Sequence, residues 1–197
     1  MFYESEPDPY CYPESDVLIN RFDLRDPEEL QEVESDLSAL AEAELHHNPV
    51  VGSFDMNHLR EIHRRLFGDI YAWAGELRTV RITKGQSVFA YPENIKGCSQ
   101  ELFARLRNDA LLHGLPKDRF VRSLAFYMGE LNAVHPFREG NGRALRIFFA
   151  HLSFEAGYDL RFDEAEAGEM LHASIESFNG NPLPMETLLA RITSPRR

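Results

Sequence analysis

Apolar residues recur at helical spacing along most of the chain. Leu30, Val33, Leu37, Leu40 and Ala41 share one face of a segment that opens with Asp26, Pro27, Glu28 and Glu29. An acidic N-cap, a proline at the first helical position and glutamates in the first turn mark a helix start. Leu59, Ile62, Leu66 and Phe67 predict a second helix over 54–67, and Ile95, Leu102, Phe103 and Leu106 a third over 92–112, ended by Gly114. Phe120, Leu124, Tyr127, Met128 and Leu131 predict a helix over 120–134. Pro136 disfavours the helical conformation at the residue before it, so His135 belongs just past that helix's end. Leu145, Phe148, Phe149 and Leu152 give the next helix its buried face, with Gly157 as its stop. Weaker patterns predict helices over 163–178 and 184–193.

One segment breaks the period. Residues 79–90 are rich in β-branched and aromatic types around Lys84, Gly85 and Gln86, which reads as a β-hairpin with a glycine turn. A lone hairpin is marginal without packing support, so this one needs a helical surface beneath it. The first 25 residues, proline-rich and without a period, read as an irregular arm, and 26–197 as a single domain. The expected fold class is all-α, a helical bundle carrying a small β-hairpin flap.

Charge and composition narrow the classes of function. A formal net charge of −11 argues against a dedicated nucleic-acid binder, which needs clustered Lys and Arg. No run approaches 18 apolar residues. The N-terminus is acidic and proline-rich, opposite in kind to a secretory signal, so the expected compartment is the cytoplasm, with no membrane association. Cys11 and Cys98 have no metal-ligand spacing and read as reduced thiols. His58 and His63 are five apart, so they make no zinc pair on one helix face.

The chemistry concentrates between His135 and Arg146. His135 offers a titratable base whose ordinary pKa, near 6.5, suits neutral pH. Glu139 offers a carboxylate for a divalent cation. Gly140, Asn141 and Gly142 fall at the start of a helix, where N–H groups lack internal partners and the dipole favours anions. Arg143 and Arg146, three apart, lie on neighbouring positions of that helix and could grip a di- or triphosphate. A base, a metal ligand, bare amides and guanidinium groups are what an enzyme acting on a nucleoside triphosphate requires.

These residues match the pattern His-x-Phe-x-(Asp/Glu)-Gly-Asn-Gly-Arg-x-x-Arg at every defined position, and the chain is identified by it as resembling the Fic family. The segments 59–67 and 71–78 resemble that family's upstream helix and the approach to its flap, and the likeness covers about 10–192. The resemblance implies an adenylyltransferase that moves AMP from ATP to a Ser, Thr or Tyr hydroxyl of a target protein. It implies His135 as general base, Phe137 as a structural anchor and Glu139 as the Mg²⁺ ligand. Gly140, Asn141 and Gly142 would form an anion hole, Arg143 would contact the phosphate chain and Arg146 the γ-phosphate. The flap would pair with the target's main chain, with Ile82, Lys84 and Phe89 as docking candidates.

Many Fic proteins carry an inhibitory helix patterned (Ser/Thr)-x-x-x-Glu-(Gly/Asn). Ser38 and Glu42 come nearest to it here, but Ala43 follows where Gly or Asn is required. The resemblance therefore implies a compact toxin type, inhibited in trans by a small antitoxin whose glutamate reaches Arg146. In relatives of this type, targets include the ATPase subunits of type II topoisomerases. Two alternatives stand beside AMP transfer: another nucleotidyl or phosphoryl transfer on the same fold, and an inactive helical binding module. Degenerate motif residues would favour the last, and none is degenerate.

Overall fold

The computed structural model describes residues 8–85 and 87–196. Gln86, in the predicted hairpin turn, and residues 1–7 of the predicted arm lie outside them. The described residues form α1 (Pro27–His47), α2 (Met56–Phe67), the strands β1 (Thr83–Lys84) and β2 (Ser87–Val88), α3 (Pro92–Asn108), α4 (Lys117–Val134) and α5 (Asn141–Glu155). They continue with β3 (Tyr158–Leu160), α6 (Ala167–Phe178), α7 (Leu183–Ile192) and β4 (Thr193–Pro195). The expected helical bundle with a small hairpin is what the chain forms.

Local chemistry sets the helix starts. Asp26 Oδ1 accepts from the N–H of Glu28 at 2.9 Å and of Glu29 at 3.1 Å, ahead of Pro27, so α1 begins where the sequence placed it. Asp55 caps α2 through the N–H of His58 at 3.0 Å, two residues later than expected. Two other expectations need correction. The helix over 92–112 stops at Asn108, and Ala110, Leu111 and Leu112 take positive φ in a 3₁₀ turn that buries Leu112. The helix expected from 163 starts at Ala167, where Glu166 and Glu169 form a capping box; a 3₁₀ turn occupies Phe162–Glu164.

The core lies between α2, α4 and α5. Leu59, Ile62, Phe120, Leu124, Phe148, Phe149 and Leu152 are all completely buried there. Burying a side chain of this size stabilises by about 1.5–3 kcal/mol, so these helices fix each other's positions. α1 packs on α2, while α6 and α7 pack on each other and on α4. β3 pairs antiparallel with β4, a short ribbon that three-residue segments do not announce in sequence. The described residues before α1 pack onto the core: Tyr12, Val17 and Leu18 are buried. Asp8 accepts from Arg138 at 2.9 Å, and Tyr10 Oη accepts from the Thr79 N–H at 3.1 Å.

Candidate active site

The loop between α4 and α5 is held by its own side chains. His135 closes α4 with φ 48°, its N–H still donating to the Leu131 carbonyl at 3.1 Å. Phe137 is completely buried, and its ring stacks on that of His63 at 3.9 Å. Asn141 turns its amide inward. Its Oδ1 accepts from the Phe137 N–H at 2.9 Å and its Nδ2 donates to the Phe137 carbonyl at 2.8 Å. Gly140 has φ 78°, and a Cβ there would sit 2.3 Å from the Phe67 ring, so glycine is required twice over.

The His135 tautomer follows from its neighbour. Nδ1 lies 3.2 Å from the Asn132 carbonyl, which can only accept, so Nδ1 carries the proton and Nε2 the lone pair. The ring is 6% exposed and stacks on Phe89 at 3.8 Å. Burial, aided by the Lys84 charge, lowers its pKa to about 4. The ordinary value near 6.5 expected for this base is thereby corrected: the imidazole is neutral well below physiological pH.

A cavity of about 620 Å³ joins the parts. His135, Lys84, Phe89, Gly142 and Arg146 line it, together with an apolar wall from α6 that includes Ile175 and Phe178. Arg146 has no carboxylate within 4.0 Å among the described residues, although Glu42 contributes to the field around it. Glu139 is ionised: the Gly140 N–H, Lys84 and Arg143 outweigh burial and keep its pKa below the usual range. Its Oε1 accepts the Gly140 N–H at 2.9 Å and its Oε2 lies 3.9 Å from Lys84 Nζ.

The chain matches the Fic/DOC family over residues 53–153. The chain belongs to that family. Protein adenylyltransferase VbhT of Bartonella schoenbuchensis is 43% identical over 96% of this chain, which spans 40% of that protein's length. The probable protein adenylyltransferase Fic of Escherichia coli is 36% identical over 95% of this chain and 92% of its own. Among solved structures, Bartonella tribocorum BepC with bound AMPPNP superposes with a TM-score of 0.88 at 30% identity, covering 95% of this chain and 97% of that one. A Bartonella quintana Fic domain with bound ADP gives 0.89 at 31% identity, covering 95% of each. In enzyme class the chain is a nucleotidyltransferase of the Fic type.

The residues of the Fic motif differ in what they already bind. Gly140 donates its N–H to Glu139, and the Asn141 side chain is engaged with Phe137, so the amides left for an anion are those of the next residues, with Gly142 on the cavity. Arg143 is turned away from the cavity. It pairs with Glu34, donates to Ser38 Oγ at 2.8 Å and lies over the Phe67 ring at 4.6 Å. These contacts tie Arg143 to α1.

The expected hairpin is present. Thr83 pairs with Val88 and Lys84 with Ser87. Ile82, half-buried and not on the cavity, accepts the Phe89 N–H across the hairpin at 3.3 Å. Phe89 is 8% exposed, packed on His135 and edge-on to Phe178, and lines the cavity. Lys84, with 59% of its side chain exposed, remains at the cavity mouth.

Two supporting residues escaped the sequence reading. His63 accepts the Gly75 N–H at Nδ1, 2.9 Å, and places Nε2 2.8 Å from the Glu139 carbonyl, pinning the metal-ligand candidate from behind. Glu34 on α1 accepts from both Arg143 and the Tyr71 hydroxyl. His63 looks like any apolar-face histidine in sequence, and nothing but the fold brings Glu34 to residue 143.

Proposed function

We propose that the chain transfers AMP from ATP to a Ser, Thr or Tyr hydroxyl of a target protein. The observation that carries this reading is one cavity shared by a neutral His135 and an Arg146 unpaired among the described residues, at the N-terminus of a 15-residue helix. Nε2 of His135 accepts the proton of the target hydroxyl, while the Asn132 carbonyl holds the opposite nitrogen protonated. Arg146 and the first-turn amides of α5 stabilise the charge that develops on the phosphates as pyrophosphate leaves. The α6 wall of the cavity gives the adenine ring an apolar surface. Catalysis of this kind is positioning and charge stabilisation, with no covalent enzyme intermediate.

Glu139 fits Mg²⁺. It is one ionised carboxylate, one-third exposed, and among the described residues no group of three or more His, Cys, Asp or Glu forms a cage. Mg²⁺ is bound in just this way, by one or two carboxylates with water and substrate phosphates completing its shell. When bound, it neutralises charge between the phosphates.

A small antitoxin acting in trans would place a glutamate on Arg146, which has no carboxylate partner among the described residues. The ATPase subunits of type II topoisomerases in the cytoplasm are the first targets to try. Among the described residues no helix is long and apolar enough to cross a membrane. The test is incubation with candidate subunits and ATP labelled at the α- or γ-phosphate, beside His135→Ala. Label from the α position, absent in the variant, is the expected result; label from γ would show phosphoryl transfer and overturn the reading.

A further inference from the structure

Arg78 is 2% exposed and has no carboxylate within 4.0 Å among the described residues. Its guanidinium instead donates to four carbonyls. Nε reaches His135 at 2.7 Å, Nη1 reaches Val80 at 2.7 Å, and Nη2 reaches Ala90 at 2.5 Å and Val134 at 3.2 Å. Two of these belong to the C-terminal end of α4, where the helix dipole favours a cation. The other two belong to the chain entering β1 and the chain leaving β2. A buried charge normally requires an opposite charge; here the planar fork of donors finds carbonyls that have no other reason to converge.

We propose that Arg78 is a positioning residue that fixes the hairpin and His135 as one unit, so that a hydroxyl carried on the hairpin is presented to the imidazole at a set distance. This rests on His135 being the base. The backbone agrees with the guanidinium: the Arg78 N–H donates to Pro136 at 2.9 Å and the Ala90 N–H to Ala133 at 3.1 Å. Phe89, next to Ala90, completes the unit by stacking on the His135 ring at 3.8 Å. Val80 and Ala90 flank the hairpin, so its stems cannot separate, nor rise from α4, without breaking bonds to one side chain. A lysine could not do this. Its ammonium is a single point with three donors, and it cannot span carbonyls on opposite sides of a fork. The Arg78 charge also opposes formation of the imidazolium, after burial and Lys84.

Two variants separate geometry from charge. Arg78→Lys keeps the charge and loses the fork; Arg78→Gln loses both. Hydrogen exchange and an NMR titration of the His135 imidazole are measured on each. In Arg78→Lys, exchange at the Phe89 and Ala90 amides rises about tenfold, as loss of a charge-assisted hydrogen bond implies, while amides of α2 and α5 keep their protection. The imidazole titration stays in place in Arg78→Lys and moves up by about half a pH unit in Arg78→Gln. Hairpin amides that exchange at the wild-type rate in Arg78→Lys overturn the proposal, as does faster exchange spread equally over α2 and α5. Should Arg78→Gln fail to fold, the lysine variant decides alone. Transfer of the α-phosphate label by the wild-type enzyme is measured in parallel. Its absence would sink the assignment of His135 as base, whereas wild-type transfer with unaltered hairpin exchange would sink only the role of Arg78.

Discussion

The ring of Phe89 covers that of His135 with centroids 3.8 Å apart and planes 14° from parallel. A hairpin residue therefore keeps water from the base and holds it neutral. Phe89→Ala hydrates the imidazole and raises its pKa from about 4 toward the ordinary 6.5. A base works unprotonated, so activity is lost as pH falls through that pKa. The acid limb of the kcat/KM profile of AMP transfer should sit near pH 4 in the wild type and one to two units higher, roughly, in the variant. Identical acid limbs would contradict this account.

Asn141 answers both polar groups of the Phe137 backbone, at 2.9 and 2.8 Å, and is 2% exposed. Asn141→Ala leaves a buried N–H and carbonyl without partners, which costs about 3 kcal/mol. Thermal unfolding should move down by roughly 10 °C. Asn141→Asp keeps only the acceptor half and should fall between.

Arg143 and Glu34 form one unit with Tyr71 and Ser38. A double-mutant cycle with Arg143→Ala and Glu34→Ala, read by denaturant unfolding, should give a coupling of about 1 kcal/mol or more. If Arg143 served the phosphates alone, the two changes would simply add, and Arg143→Ala would raise the KM for ATP while Glu34→Ala left it untouched.

Stability should fall in mild acid. Burial lowers the pKa values of both His63 and His135 to about 4. The unfolded chain takes up these protons as pH drops through about 6.5, and the folded chain does so only near 4. Stability is therefore full above about pH 6.5 and declines between there and pH 4, by about 2 kcal/mol per histidine at pH 5. Melting curves at pH 7 and pH 5 check the sign, and His63→Asn should flatten the difference.

Removal of divalent cations should abolish transfer, and Glu139→Gln should raise the Mg²⁺ concentration needed for half-maximal activity at least tenfold. The fold of that variant should be unaffected, since Glu139 is partly exposed and its backbone carbonyl still meets His63 at 2.8 Å. Circular dichroism together with a Mg²⁺ titration of activity provides the check.

Much of this was legible before any coordinates. Asp26 and Pro27 start α1 because capping is local chemistry. His135 follows α4 because Pro136 acts on its immediate neighbour. The 3₁₀ turn at Ala110–Leu112 was missed because buried Leu112 pulls residues of good helical propensity out of helix. The Glu34 partner of Arg143 and the Phe89 cover over His135 escape the sequence for a similar reason. Spacing says which residues share an element, and says nothing of which distant element lies opposite.

By itself the chain's order of residues determined the helices, the hairpin and the twelve-residue stretch from His135 to Arg146, since periodicity, caps and motif spacing act over a few positions. Tertiary structure alone decided that Arg146 faces the cavity while Arg143 is held by Glu34, that Phe89 shields the base, and that Arg78 joins four carbonyls. Each of these turns on partners tens of residues away, brought together only when α1, α2, α4 and α5 bury their apolar faces against one another.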